Sequence, residues 1–184
     1  MEEKKIEAPL TDETVKGLNA GDQVLLSGII YTARDAAHKR LVELLEGGNP
    51  LPFNLKGSVI YYVGPSPAPP GFVIGAAGPT TSYRMDPYAP LLIEHGMKGM
   101  IGKGQRSDEL IDKMKERLAV YFGATGGAAA LISKAIVQAK VIAFDDLGTE
   151  AVRELAVKDM PLVVINDCYG GDLYIQGREQ WSLE

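Results

Sequence analysis

Four cations stand where the sequence pattern predicts a strand giving way to a helix: Arg34 in TARDAAHKR, Arg84 in GPTTSYRMD, and Lys103 and Arg106 in GKGQRS. Such junctions are where α/β folds place ligands, because the first turn of a helix presents unpaired backbone N–H groups and the positive end of its dipole. On a chain of net charge −5, four cations there form a locally positive patch suited to a small dicarboxylate or a phosphate. For each arginine taken alone, a solvated surface position is an equal alternative. Thr80 and Thr81 offer hydroxyls close to Arg84, although threonines in turns commonly bond the local backbone. Asp86, followed by Pro87, reads as a helix cap before it reads as an acid or base. His38, four residues after Arg34, either orients that arginine or packs, and His95 before Gly96 reads as a helix C-terminal residue. The GATGG turn (residues 123–127) lacks the Lys-Ser or Lys-Thr pair of a P-loop, and GKGQRS lacks the third glycine of a dinucleotide fingerprint.

These residues need elements to hold them. The apolar, β-branched run Gln23 to Ala33 predicts a strand bent at Gly28, and AAHKRLVELLE then places Ala37, Leu41, Leu44 and Leu45 at helical spacing up to Gly47 and Gly48. Thr11 predicts the cap of an earlier short helix that ends near Asn19 to Gly21. Ser58 to Val63 and Phe72 to Ala76, joined by PSPAPPG, predict an antiparallel pair of strands. Asp86-Pro87 predicts a helix start, which makes everything from Gly78 to Met85 a connection. A strand near Gly99 to Ile101 leads to a helix capped by Ser107 with Asp108 and Glu109 in its first turn. The last third predicts a strand at Ala119 to Phe122, a helix from Ala128 to about Lys140, strands at Val141 to Phe144 and Met160 to Asp167, and an extended stretch at Asp172 to Ile175. The sum is an α/β chain with a mixed sheet.

Composition bounds the function. The 184 residues, 46% hydrophobic and 23% charged, predict one globular domain over residues 1–184. No apolar run approaches the roughly 20 residues of a membrane span, and no signal peptide opens the chain, so a cytoplasmic protein without a membrane partner is expected. Nineteen Lys plus Arg against 24 Asp plus Glu, with no basic block, make nucleic acid an unexpected partner. Cys168 is the only cysteine, and His38 and His95 are the only histidines. The chain therefore cannot make an internal disulfide, a thiolate zinc site or an iron–sulfur cluster from its own ligands, and no metal ligand set is expected within it.

The blocks GPTTSYRMDPY, GKGQRS about twenty residues later, and ARDAAHKR before them resemble the β subunit, or C-terminal domain, of the class I iron–sulfur hydro-lyases, a family that includes fumarate hydratase and tartrate dehydratase. The resemblance runs from about Pro9 to Tyr174 and takes in GGAAAL and the glycine turn near Cys168. It implies a swivelling β/β/α fold and an α subunit whose three cysteines hold a four-iron, four-sulfur cluster, in a heterodimer or heterotetramer that this chain alone would leave inactive. By the same resemblance Arg34, Thr80, Thr81, Arg84 and Lys103 match substrate-contacting positions, with Arg106 beside them, and Thr80 matches the proposed proton-abstracting threonine, with Lys103 as the cation that would lower its pKa. The substrate implied is fumarate or malate, because GKGQRS resembles the fumarase pattern GKGNRS. The alternatives are the tartrate dehydratase β subunit and a non-catalytic anion-binding or regulatory domain.

Overall fold

The computed structural model describes residues 3–124 and 129–182. Its strands are β1 (Lys4–Ala8), β2 (Gln23–Thr32), β3 (Val59–Tyr61), β4 (Gly99–Gly102), β5 (Val120–Gly123), β6 (Ile136–Ala143) and β7 (Val152–Asn166). From β1 to β5 each strand pairs in parallel with the next, whereas β7 runs antiparallel to β2, β5 and β6. Because β7 bonds to both β5 and β2, the run β2-β3-β4-β5-β7 closes on itself as a ring, with β1 and β6 flanking it.

Side-chain alternation along these strands builds two cores. Val59 and Tyr61, Ile101, Val120 and Phe122, and Leu155, Met160 and Leu162 pack together in the first. Their neighbours Ile60, Met100 and Tyr121 point the other way and join the second core, with Ala37 and Leu41, Leu92 and Ile93, and Leu110 and Met114. Those last six lie on α2 (Asp35–Glu46), α3 (Ala89–Glu94) and α4 (Asp108–Arg117), so one face of the parallel strands carries the helices. Each fully buried Leu, Ile or Phe in these layers contributes about 1.5–3 kcal/mol. The mixed α/β sheet is as the sequence predicts.

Several elements differ from expectation. β1 has no counterpart in the sequence reading, and α1 (Asp12–Lys16), capped by Thr11, stops before Asn19. Phe72–Ala76 forms no strand, and Phe72 is 70% exposed. The partners of β3 are instead the parallel strands β2 and β4. Ala76 bonds back to Ser66, its carbonyl accepting from the Ser66 N–H and its N–H donating to the Ser66 hydroxyl, within the segment that holds Pro65, Pro67, Pro69 and Pro70. The helix expected up to Lys140 ends sooner, as α5 (Ala129–Lys134), and Ile136 to Lys140 belong to β6. The strand expected at Met160 to Asp167 is the second half of the longer β7. The stretch expected to be extended is α6 (Leu173–Trp181), because Asp172 caps it by accepting from the Tyr174 and Ile175 N–H groups. Residues 125–128, which fall within the GATGG and GGAAAL segments, lie outside the described residues.

Candidate active site

The strands β2, β3 and β4 end side by side, and the residues that follow them supply the site. Arg34 is the N-cap of α2, two residues beyond the end of β2. Beyond β3, the Thr80 amide and hydroxyl both donate to the Tyr62 carbonyl, at 2.8 and 2.9 Å. Thr81 bridges in parallel to Lys103, the first residue after β4, and the Ser82 amide donates to the Lys103 carbonyl at 2.9 Å. The segment 80–82 is thus a short extension of the sheet. It can lie so close only because residue 102 is glycine, since a Cβ there would fall on the Ser82 hydroxyl. Ser82 Oγ also meets the Tyr121 hydroxyl at 2.9 Å, and Tyr121 donates to the Gly104 carbonyl at 3.0 Å, which fixes the GKG turn. A 3-10 turn at Tyr83–Met85 then carries Arg84.

Arg34, Thr80, Thr81, Arg84 and Lys103 are therefore brought to one end of the parallel strands, where they are partly or largely exposed. The guanidinium groups stand near carboxylates without bonding to them: Arg34 Nη2 is 3.4 Å from Glu150 and 3.8 Å from Asp35, and Arg84 Nε is 3.4 Å from Asp35. Arg34 Nε is buried and has no partner among the described residues. A guanidinium carries five donors in a planar fork, so this arrangement leaves bidentate capacity for an incoming carboxylate.

Arg106 departs from the expectation of a substrate contact. Its side chain has 0% exposure. Nε donates to Asp86 Oδ1 at 2.7 Å, while Nη2 lies at 2.7 Å from the same oxygen but off the line of a hydrogen bond. The Tyr121 and Tyr62 rings flank the cation at 4.8 and 5.3 Å. Asp86 does not start the helix that follows it, which begins at Ala89. Its second oxygen accepts from the Ser107 N–H at 2.7 Å, so it secures the start of α4 instead. His38 is buried, its Nδ1 sits 3.0 Å from the Arg34 carbonyl, and its ring meets Tyr62 edge-on. Its contacts are thus with the Arg34 backbone and with the Tyr62 and Tyr88 rings. Burial, the largest influence, pushes its pKa down to about 4. His95 caps the end of α3, as predicted. Sequence reasoning assigned no role to Asp35, although it lies inside a quoted motif, and could not find Glu150, which no motif marks.

The side chains do not fit an iron–sulfur cluster of the chain's own. Cys168 is buried, its thiol lies against the Val15 carbonyl and is pushed up by that burial, and among the described residues no three His, Cys, Asp or Glu side chains converge as metal ligands. No described helix is long and apolar enough to cross a membrane.

Comparison with known proteins narrows the chemistry. The chain is 41% identical over 156 residues to "Fumarate hydratase 2" of Leishmania major, covering 84% of this chain and 28% of that protein. It is 39% identical over 153 residues to "Fumarate hydratase class I, anaerobic" of Escherichia coli strain K12, again covering 28% of the relative. The chain thus spans little more than a quarter of these two fumarate hydratases. Against "Putative L(+)-tartrate dehydratase subunit beta" of Methanocaldococcus jannaschii it is 39% identical over 171 residues, 88% of that protein. The model of the family described as Fumarase C-terminus matches residues 1–177. That match takes in all of the site residues above and nearly the whole sequence, and the chain belongs to this family.

Proposed function

We propose that this chain is the β subunit of an iron–sulfur fumarate hydratase, catalysing the reversible hydration of fumarate to (S)-malate at a site completed by a cluster-bearing α subunit. The observation that supports the reading is the open end of the parallel strands, where Arg34, Thr80, Arg84 and Lys103 follow neighbouring strands and neither guanidinium is hydrogen-bonded to the carboxylates beside it. In the malate direction a proton leaves C3, next to one carboxylate, and hydroxide leaves C2. Cations on the carboxylates hold the substrate in register and stabilise the charge that gathers on the C3-linked carboxylate as the proton departs. While protonated, Thr80 donates its hydroxyl hydrogen to the Tyr62 carbonyl at 2.9 Å; to take the C3 proton it must first have released that hydrogen to solvent and act as an alkoxide. Lys103, whose backbone adjoins that of Thr80, supplies the nearby positive charge that a threonine base requires. A cluster held by the α subunit would supply the Lewis-acid chemistry for the departure of hydroxide.

A separate catalytic partner is favoured by the site's openness, since Arg84 and Lys103 lie exposed with no chain above them among the described residues. One observation favours a second substrate: the relative of comparable length, matched over 88% of its sequence, carries a tartrate dehydratase name. The deciding experiment is anaerobic mixing of this chain with its cluster-bearing partner, followed by parallel assays with fumarate, malate and L-tartrate. Fumarate hydration that needs both chains, with no iron in this chain alone, is expected. Hydration by this chain alone, or preference for tartrate, would overturn the assignment.

A further inference from the structure

Arg34 and Arg84 belong to different elements, the N-cap of α2 and the 3-10 turn before α3, yet a dicarboxylate site requires them to converge. Two guanidinium groups that approach one another repel. Among the described residues one side chain stands within ion-pair reach of both: Asp35, with Oδ2 3.8 Å from Arg34 Nη2 and Oδ1 3.4 Å from Arg84 Nε. Its position is fixed by the first turn of α2, where an acidic residue also complements the helix dipole. The distances matter as much as the sign. A carboxylate bonded bidentately to either arginine would occupy the fork that a substrate needs, whereas at 3.4–3.8 Å it offsets repulsion and leaves the N–H donors available.

Glu150 has a narrower role. Its Oε1 stands 3.4 Å from Arg34 Nη2 while its Oε2 accepts from the Ala36 N–H at 3.3 Å. The turn that carries it, Asp145–Glu150, is fastened to α2 at its other end by Arg40, which donates to Asp146 at 2.8 Å. Glu150 therefore brackets Arg34 alone, from a part of the chain that no motif links to the site.

We propose that Asp35 is a positioning residue that keeps the two arginines aimed at a single dicarboxylate. The proposal rests on the dicarboxylate reading above, and the test separates the two. The first readout needs no activity: 15N spectra of the arginine Nε–H groups in the full chain without partner, assigned by their loss in Arg34→Lys and Arg84→Lys. Asp35→Asn should shift both signals and speed their exchange with solvent, whereas Glu150→Gln should move the Arg34 signal only. The second readout is steady-state kinetics of the reconstituted complex. Asp35→Asn should raise KM for fumarate roughly three- to five-fold, the size expected of a half-exposed ion pair, at nearly constant kcat. Asp35→Glu, which keeps the charge, should recover most of that loss, and it carries the test if Asp35→Asn does not fold. Unmoved Nε–H signals would overturn the positioning role whatever the activity, and so would moved signals with unchanged KM. A wild-type complex inert toward fumarate would defeat the substrate reading, leaving the spectra to decide whether Asp35 sets the arginine pair.

Discussion

Arg84 is 38% exposed in its side chain and makes its nearest ionic contact at 3.4 Å, so truncating it removes binding capacity and little packing. Arg84→Ala should lower kcat/KM in the reconstituted complex by about 2–5 kcal/mol of transition-state stabilisation, as removal of one partner from a desolvated charge pair does. Arg84→Lys should recover only part, because an ammonium cannot reproduce a planar two-pronged contact. Melting temperatures of both variants should stay near wild type. A matching fall in stability would make the role structural, and unchanged kcat/KM would remove Arg84 from the site. Arg106 shows what residue type alone cannot tell. Sequence places it three residues from Lys103 and makes it look like another surface cation, yet the structure buries it between two tyrosines. The difference is Asp86, twenty residues away, and only the fold brings the two together.

At the scale of elements, that ion pair is the bolt between the turn leading to α3 and the start of α4. Asp86 holds the Arg106 guanidinium with one oxygen and the Ser107 N–H with the other. Asp86→Ala strands a buried cation and leaves a helix N-terminal amide without its acceptor, which should destabilise the chain by roughly 3–5 kcal/mol. Urea denaturation measures this. Adding Arg106→Met should restore a large part, because the uncompensated charge is then gone, and a double variant as unstable as the single one would contradict this account. The same scale shows how legible the fold was. Helices α2 and α4 and the strands before them could be read, because apolar spacing, the Ser107 cap and the stop at Gly47 agree with the tertiary structure. Ile136 to Lys140 could not: nothing local separates IVQAK from the end of a helix, and pairing with β7 makes it a strand. The first half of β7 was hidden by the charges of Arg153, Glu154, Lys158 and Asp159 interleaved with its buried Val152, Leu155 and Val157. Phe72 to Ala76 misled in the opposite sense, since Phe72 and Val73 are exposed on a loop while Ile74 turns into the core without any strand being formed. For the site, the cations and Thr80 were legible as motif residues, whereas the approach of Asp35 to Arg84 and of Glu150 to Arg34 depends on contacts between distant segments.

For the molecule as a whole, burial of an ionisable group in the layer of helices against the ring ties stability to pH. His38 is fully buried, and burial lowers its pKa from 6.5 to about 4. The unfolded chain binds this proton more readily than the folded one. The stabilisation is therefore fully present above pH 6.5, falls as pH drops through that value, and is exhausted once pH passes the folded value near 4. At about 1.4 kcal/mol per unit, the swing is on the order of 3 kcal/mol. Denaturation midpoints taken between pH 7.5 and 5 should decline, and His38→Gln should flatten that decline. Equal slopes in the two proteins would assign the acid sensitivity elsewhere. The closure of the ring has a consequence in time. β2 finds β7 with Gln23 opposite Val163 and Thr32 opposite Arg153, so the joining strand is synthesised long after the edge it must cover. Closing a loop of about 130 residues costs roughly 4 kcal/mol of chain entropy before any contact repays it, which places folding among the slower, millisecond-to-second topologies. During that interval much of β2 and the outer edge of β5 present unpaired backbone groups to solvent. A nascent chain is then most open to edge-to-edge association with its own copies, and its yield in the cell depends on how quickly the last long strand arrives.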